Sequence, residues 1–292
     1  FNTLTVFLFR IVEIMIKQSL LIADSGGTKT DWCYVKSNGE REYFTTESFH
    51  PSQWNNAFKE YFFNFWKERG IPFETSVHFF GAGCTSQENK NKVSDLFKYW
   101  GFSNINIQND LVGAGKALYG NQSGYFAILG TGSVCCKYEN NKVTEYFGGF
   151  GYLLGDEGSG YYFGRQLIHS LLNSKLDQVL TDDIHGLIGG RADVLDKVYG
   201  GEGKFFISSI ASQLKDLKNE SDILKLHQNN FLEFIDKYVI PNKIKDMSIV
   251  GSYAYHHQEI LDEIFSKKGI CIKKTLQFPI VELTDCLLKG AL

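Results

Sequence analysis

The 292-residue chain has little proline and no excess of charge of one sign. Four prolines against 29 glycines indicate many tight turns within ordered sheets. The net charge is −3, so the chain lacks the basic surface that nucleic-acid binding needs, and we expect no nucleic-acid partner. Hydrophobic residues make up 43% and charged residues 22%, which is typical of a globular protein. The length allows two domains of roughly 150 residues each.

The sequence also lacks the cysteine spacing of metal sites and the apolar length of a membrane span. Six cysteines occur without a C-x-x-C pair, and the adjacent Cys135 and Cys136 would point to opposite faces of a strand. We therefore expect free thiols in a reducing cytoplasm. The apolar residues 1–16 are interrupted by Arg10 and Glu13 and form too short a run to span a bilayer, so we expect no membrane association.

The first residues need a separate interpretation. The chain begins with Phe, and its first methionine is Met15. We take Met15 as the expected start and residues 1–14 as an upstream extension that is not native. A weak export signal is the alternative.

The stretch around Asp24 predicts a strand, a tight turn and a second strand. Residues 20–23 are an apolar run, Ser25-Gly26-Gly27-Thr28 has turn chemistry, and an alternating run follows. Glycines permit close backbone approach and hydroxyls add donors, so the turn suits a phosphate. A carboxylate facing that phosphate would need a cation between them, most simply Mg²⁺ with its own waters. An ordinary Gly-Gly hairpin is the alternative, because no Walker loop and no G-x-G-x-x-G motif is present.

The same design returns further along the chain. Residues 124–129 predict a strand, Gly130-Thr131-Gly132-Ser133 a turn, and residues 134–138 a returning strand. Together with the β-β-β-α-β-α-β order before residue 110, the repeat predicts a duplicated α/β domain with phosphate held between the copies. We expect domains at residues 15–115 and 116–281, with a final helix at 282–292 as a candidate completion of the first.

Several glycine-rich motifs follow one another at wide spacing. They are Asp24-Ser25-Gly26-Gly27-Thr28-Lys29-Thr30, Gly81-Ala82-Gly83, Asp110 with Gly113-Ala114, Gly130-Thr131-Gly132-Ser133, Gly148-Gly149-Phe150-Gly151 with Gly155-Asp156-Glu157-Gly158-Ser159, and Gly251-Ser252. In this order they resemble the superfold of sugar kinases, actin and heat-shock ATPases, and more narrowly the N-acetylglucosamine kinase and BadF/BadG-type ATPase family. The resemblance runs from about residue 20 to the end of the chain. It implies an α/β fold of two ribonuclease H-like (actin-like ATPase) domains with an active-site cleft between them.

The resemblance also implies an activity and a set of site residues. The activity would be transfer of the γ-phosphoryl group of ATP, with Mg²⁺, to the 6-hydroxyl of N-acetylglucosamine or a close relative such as glucosamine or N-acetylmuramic acid. Asp110 matches the family's catalytic aspartate, and a carboxylate there can accept the proton of a weakly nucleophilic sugar hydroxyl. Asp24 would lie near Mg²⁺, directly or through water. The residues implied to bind ATP are Gly26, Gly27, Thr28, Thr131, Gly132, Gly251, Ser252 and Tyr255, and those implied to bind the sugar are His50, Gly149, Phe150, Gly151 and Asp156.

Two points leave parts of this assignment open. Asp110, Asp156 and Glu157 each precede a predicted helix, and aspartate is a favoured N-cap, so helix capping is an alternative role. The acceptor also stays open, because His50 stands where relatives often carry asparagine. Phe150 stands where the best-known N-acetylglucosamine kinases carry tryptophan.

Two other classes compete with the kinase. A BadF-type ATPase couples ATP hydrolysis to a partner reductase and would need cysteines that hold an iron–sulfur cluster, but neither Cys84 nor Cys135 lies in an obvious cluster loop. A sugar-sensing regulator would need an N-terminal helix-turn-helix, for which there is no room before Leu20. We therefore favour a kinase with a small-molecule sugar as substrate. A homodimer is common among relatives, and no motif here specifies one.

Overall fold

The chain folds into two units, each built on one sheet. The computed structural model describes residues 18–49, 54–217 and 220–290. Unit 1 comprises the chain up to Gln122 and again from Phe278 onward, and unit 2 comprises Ser123–Gln277. The expected extension at residues 1–14 and the candidate sugar ligand His50 lie outside the described residues.

Unit 1 contains a mixed sheet of strand order β3-β2-β1-β4-β5. Its strands are β1 (Leu20–Ser25), β2 (Lys29–Val35), β3 (Arg41–Glu47), β4 (Ser76–Gly81) and β5 (Ile105–Asn109). The first three strands form antiparallel hairpins, whereas β1, β4 and β5 run parallel. The carboxyl ends of these parallel strands therefore meet at one edge, which is where ligands bind in open α/β sheets.

The core of unit 1 is aromatic. Its first helices are α1 (Asn56–Glu68), α2 (Gln87–Tyr99) and α3 (Asp110–Tyr119). The buried face of α1 carries Phe58, Phe62 and Trp66. Trp66 packs edge-on against Trp32 of β2 with 5.1 Å between ring centroids, and Phe49 packs on Phe62 at 4.4 Å.

Unit 2 repeats the sheet of unit 1, with strand order β10-β9-β6-β7-β8. Its strands are β6 (Gly124–Leu129), β7 (Ser133–Glu139), β8 (Lys142–Gly148), β9 (Asp246–Val250) and β10 (Cys271–Leu276). Two antiparallel hairpins again precede strands parallel to the first one. The repeat confirms the predicted duplication of an α/β domain. The sequence does not predict β8, because this edge strand is mostly exposed and lacks an apolar alternation.

Helices fill the interval between β8 and β9 and surround the sheet of unit 2. They are α4 (Gly160–Leu172), α5 (Gln178–Ile188), α6 (Arg191–Tyr199), α7 (Gly203–Gln213) and α8 (Ser221–Phe234), followed after β9 by α9 (Ser252–His256) and α10 (Gln258–Lys267). A π-helical turn, Ile235–Val239, continues α8. His257 lies between α9 and α10 and separates the two helices.

The last helix returns the chain to unit 1. Helix α11 (Ile280–Gly290) packs against α3, β1 and β2. Arg41 of β3 forms an ion pair with Asp285 of this helix at 2.6 Å. Within the described ranges, no helix has the length and apolar character needed to cross a membrane.

Candidate functional site

Three hydroxyl groups hold the turn of the first hairpin. Gly26 N donates to Lys29 O at 2.9 Å and closes the turn. Across its base, the buried Ser25 and Thr30 hydroxyls bond each other at 2.8 Å. Ser48 Oγ, just after β3, donates to Gly26 O at 2.7 Å. The sequence predicts a hydroxyl donor at Ser25, but neither its bond to Thr30 nor the role of Ser48 was predicted.

The turn itself is open above its glycines. A Cβ placed on Gly27 would meet no atom within 4 Å, and one on Gly26 would meet only Lys29 O at 3.8 Å. Neither glycine has the left-handed backbone that would require this residue type. Packing within unit 1 therefore does not explain the glycines, and the free space is consistent with close approach of a phosphate.

Asp110 begins α3 at the carboxyl end of β5. The capping residue of this helix is its neighbour Asn109, whose Oδ1 accepts a hydrogen bond from Leu111 N at 2.9 Å. The alternative that Asp110 serves as the N-cap is therefore wrong. In the sheet, Asn109 of β5 pairs with Gly81 of β4. Asp24 of β1 pairs with Phe80, the residue before Gly81. Asp24 and Asp110 therefore lie at the same edge of the sheet.

The two half-buried carboxyl groups have raised pKa values. Burial raises the pKa of Asp110 to about 6. Burial raises the pKa of Asp24 to about 8, with further contributions from the negative charges of Asp110 and of its cross-strand partner Asp31. The charge of Asp24 is disfavoured by its carboxylate neighbours, and a divalent cation would stabilise it, so these residues fit Mg²⁺.

A magnesium ion at this edge would need further ligands. Over residues 18–49, 54–217 and 220–290, no three His, Cys, Asp or Glu side chains are grouped to hold a metal ion. Mg²⁺ is commonly bound by one or two carboxylates together with waters and substrate phosphates. The two carboxyl groups of Asp24 and Asp110 beside a turn suited to phosphate match this pattern.

In unit 2, Asp156 lies against the second hairpin turn. Its Oδ1 accepts a hydrogen bond from Ser133 N at 3.3 Å, and a Cβ on Gly132 would come within 3.0 Å of Oδ2. Asp156 has a left-handed backbone with φ of 67°, which is uncommon for a residue other than glycine. Burial raises its pKa against the effect of the Ser133 hydrogen bond. The structure thus brings a candidate sugar ligand next to Thr131 and Gly132, the candidate phosphate ligands.

The neighbouring Glu157 is held by two consecutive residues of the π-helical turn. Its Oε1 pairs with Lys237 Nζ at 2.7 Å, and its Oε2 accepts from Tyr238 Oη at 2.7 Å. Burial alone would raise the pKa of Glu157, but these hydrogen bonds lower it below its usual value. The N-cap of α4 is Ser159, which accepts from Tyr162 N at 3.1 Å, so neither Asp156 nor Glu157 caps this helix.

The loop between β8 and Asp156 exposes apolar side chains. Gly149 and Gly151 have left-handed backbones, and Phe150 between them is 63% exposed. Leu153 and Leu154 are 75% and 81% exposed. The sequence analysis does not single out these two leucines, because their spacing also fits an ordinary buried run.

The motif after β9 is shaped by close packing. Gly251 has φ of 132°, and a Cβ there would lie 2.4 Å from Leu129 O at the end of β6. Ser252 begins α9, and Tyr255 on this helix is 45% exposed. β6, β8 and β9 run parallel, so the motifs that follow them share one edge of the second sheet.

Each of the two duplicated sheets has its candidate ligands at the carboxyl edge of its parallel strands. This arrangement defines the class: it is the two-domain α/β fold of sugar kinases. A crystal structure of a protein from Porphyromonas gingivalis, described as a candidate N-acetylglucosamine kinase, has a TM-score of 0.84 and 28% identity. It covers 94% of this chain and 100% of its own. A protein of the same description from Chromobacterium violaceum matches 94% of this chain and 99% of its own, with a TM-score of 0.68 and 17% identity, and supports the fold alone.

Sequence comparison points in the same direction. An N-acetyl-D-glucosamine kinase from Dictyostelium discoideum is 30% identical over 184 residues, which is 56% of this chain and 57% of that protein. An N-acetylmuramic acid/N-acetylglucosamine kinase from Clostridium acetobutylicum is 33% identical over 94 residues, or 32% of this chain and 31% of that protein. The chain thus matches little more than half of the first relative and a third of the second. No model of a protein family matches the chain. The similarity to N-acetylglucosamine kinases is confirmed.

Proposed function

We propose that this protein is an ATP-dependent amino-sugar kinase. The reaction would transfer the γ-phosphoryl group of MgATP to the 6-hydroxyl of N-acetylglucosamine or a close relative such as glucosamine or N-acetylmuramic acid. The observation that carries the proposal is the position of Asp110, a half-buried carboxyl beside Asp24 and an open glycine turn at one sheet edge. The names of the similar proteins support the same reaction.

Each group would have a distinct task. Asp110, with a pKa near 6, is mostly ionised at neutral pH and would accept the proton of the attacking hydroxyl. Gly26, Gly27 and Thr28 would hold the phosphates, and Asp24 would hold Mg²⁺, directly or through water. When bound, that ion would offset negative charge on the phosphates. In unit 2 we assign Thr131, Gly132, Gly251, Ser252 and Tyr255 to the nucleotide, and Gly149, Phe150, Gly151 and Asp156 to the sugar.

The proposal is tested by ADP release in a coupled assay with MgATP. The acceptor panel would contain N-acetylglucosamine, N-acetylmannosamine, glucosamine, N-acetylmuramic acid and glucose, and NMR would locate the phosphate on the product. We expect ADP release that depends on an amino sugar, with the phosphate at the 6-position. ADP release at one slow rate with every acceptor would overturn the kinase assignment.

The coupled ATPase is the less favoured function. Such a protein would hold an iron–sulfur cluster between subunits, which requires cysteines at a surface. Cys33, Cys84, Cys135 and Cys136 are buried, and Cys271 and Cys286 belong to different units. The similar proteins named above are described as kinases.

A further inference from the structure

A buried asparagine joins two segments that the proposed function assigns to different substrates. Asn230 of α8 is 1% exposed. Its Oδ1 accepts a hydrogen bond from Gly158 N at 2.6 Å. Its Nδ2 donates to Ser159 O at 2.9 Å and to Tyr253 Oη at 3.0 Å. Both amide hydrogens and the amide oxygen are therefore used, which fixes the orientation of the side chain.

These partners come from two distant parts of unit 2. Gly158 and Ser159 directly follow Asp156 and Glu157, the end of the candidate sugar segment. Tyr253 is the second residue of α9, next to Gly251 and Ser252 of the candidate nucleotide segment. The Asn230 side chain thus bonds to both segments, although Gly158 lies 72 residues and Tyr253 lies 23 residues from it along the chain.

The tyrosine hydroxyl has a second buried partner. Tyr253 Oη lies 2.8 Å from His227 Nδ1. Because the hydroxyl oxygen accepts a hydrogen bond from Asn230 Nδ2, the hydroxyl can donate its own hydrogen to His227 Nδ1. The His227 ring stacks on Phe163 of α4 with 3.9 Å between centroids and 3° between the ring planes. The position of α9 is therefore tied to α8 and, through His227, to the helix that Ser159 caps.

We propose that Asn230 and Tyr253 are positioning residues that couple sugar binding to nucleotide binding. The proposal rests on the proposed function, because it takes the two segments to be the sugar and nucleotide ligands. A sugar bound by the segment before Ser159 would act on Asn230 through Gly158 and Ser159 and, through Tyr253, on the start of α9. Such a coupling is reciprocal: the sugar must tighten nucleotide binding by the same factor as the nucleotide tightens sugar binding.

The test is a comparison of binding ratios in Tyr253→Phe. The dissociation constant of a non-hydrolysable ATP analogue with Mg²⁺ is measured by calorimetry with and without saturating N-acetylglucosamine, and the sugar is measured with and without the analogue. For the wild type we expect a ratio of about 5 or more, the usual lower range of coupling. For Tyr253→Phe we expect the ratio to approach one, because the variant removes only the shared hydroxyl. A merely structural role would weaken both ligands and leave the ratio unchanged.

Tyr138→Phe is the matched control. It removes the hydroxyl of another fully buried tyrosine of unit 2, whose Oη lies 3.2 Å from Asn141 Oδ1 beside the β7–β8 turn. We expect this variant to keep the wild-type ratio. Asn230→Asp is a second variant for the case that Tyr253→Phe does not fold, because it keeps an acceptor for Gly158 N but loses the amide donors.

The outcomes separate this inference from the proposed function. A wild type without sugar-dependent ADP release overturns the kinase, and the inference with it. A wild type that is a sugar kinase but shows no coupling overturns the inference alone. The inference alone is also overturned if Tyr253→Phe and Asn230→Asp both keep the wild-type ratio of dissociation constants.

Discussion

Asn109 and Asp110 perform different tasks at the start of α3, although they are adjacent and similar in size. The amide oxygen of Asn109 accepts a hydrogen bond from Leu111 N, one of the N–H groups in the first turn of the helix that have no partner within the helix. The Asp110 carboxyl accepts backbone hydrogen bonds from Leu111 and from its own N–H, and these lower its pKa, but burial raises the pKa more strongly, to about 6. A base with this pKa is ionised at neutral pH yet more basic than an exposed aspartate, which suits proton abstraction from a hydroxyl.

Replacement of Asp110 by asparagine tests this role. In Asp110→Asn the amide keeps the size of the side chain but cannot accept a proton, so we expect phosphoryl transfer to fall by at least ~10²-fold. Nucleotide binding should remain close to wild type in calorimetry, because the base acts on the acceptor. Asp95→Asn, on the exposed surface of α2, is the control and should transfer at the wild-type rate. Near-normal transfer by Asp110→Asn would assign the base to another residue.

Gly27 distinguishes a phosphate-binding turn from an ordinary hairpin. A methyl group on Gly27 would meet no protein atom within 4 Å, so Gly27→Ala should fold with unchanged stability. If phosphates approach this backbone, the same methyl group should raise the KM for ATP by about 10-fold or more, at a cost of about 1.4 kcal/mol per factor of ten. Gly201→Ala, another turn glycine with open space around it, is the control. An unchanged KM for ATP would favour the ordinary hairpin.

At the residue scale, local signals reached the carboxylates and turns but not the groups that hold them. Asp24 follows an apolar run and Asp110 follows the alternating strand 105–109, so their position at strand ends was predictable from the sequence. The hydrogen bonds from Ser48 to Gly26 and from Gly158 to Asn230 join residues 22 and 72 positions apart. Such contacts exist only once the sheet and helices have packed, and no short pattern encodes them.

At the element scale, the same limit applies to the π-helical turn after α8. The apolar spacing of residues 227–239 is typical of a helix, but it contains no sign of the wider, π-helical turn that begins at Ile235. Its consequence is functional geometry, since it presents the consecutive Lys237 and Tyr238 to the two oxygens of Glu157. By contrast, both hairpins were legible, because apolar runs separated by Gly/Thr turns are a strong local signal.

Two helical glycines predict opposite effects of the same substitution. In α4, a Cβ on Gly164 would lie 2.1 Å from Ile207 O of α7, so Gly164→Ala must separate two packed helices. We expect a loss of about 1–3 kcal/mol, or more, in the free energy of unfolding. In α5, Gly186 is exposed and a Cβ there meets nothing within 4 Å, so Gly186→Ala should gain up to about 1 kcal/mol. Urea unfolding of both variants shows whether each substitution raises or lowers the free energy of unfolding. An equal change in the two variants would contradict the packing of α4 on α7.

At the scale of the whole molecule, the two units carry different spectroscopic reporters. The four tryptophans, Trp32, Trp54, Trp66 and Trp100, all belong to unit 1. Tryptophan fluorescence therefore follows unit 1, whereas far-UV circular dichroism follows both units. Multi-domain proteins often unfold in more than one step, so the two signals need not coincide.

Acid is expected to destabilise unit 2 through His227. Burial, with a contribution from His257, lowers the pKa of His227 to about 2, whereas an unfolded histidine titrates near 6.5. The folded pKa is depressed, so the imidazole is neutral in the folded unit and the unfolded chain gains a proton as the pH falls. The stability that depends on the neutral ring is complete above pH 6.5, and about 2 kcal/mol of it is lost by pH 5.

The measurement is urea unfolding at pH 7.5 and pH 5 of the wild type and of His227→Gln, whose amide oxygen can still accept from Tyr253. We expect the variant to be less stable at pH 7.5, because it loses the stacking on Phe163. Its loss of stability between the two pH values should be smaller than that of the wild type by about 2 kcal/mol, since the variant has no ring to protonate. This difference in pH dependence should be visible by circular dichroism, which follows both units. It should be weaker in tryptophan fluorescence, because His227 belongs to unit 2 and the tryptophans belong to unit 1. Equal pH dependence in the two proteins would mean that His227 accepts a proton in the folded state, and its position between Phe163 and Tyr253 would then need another explanation.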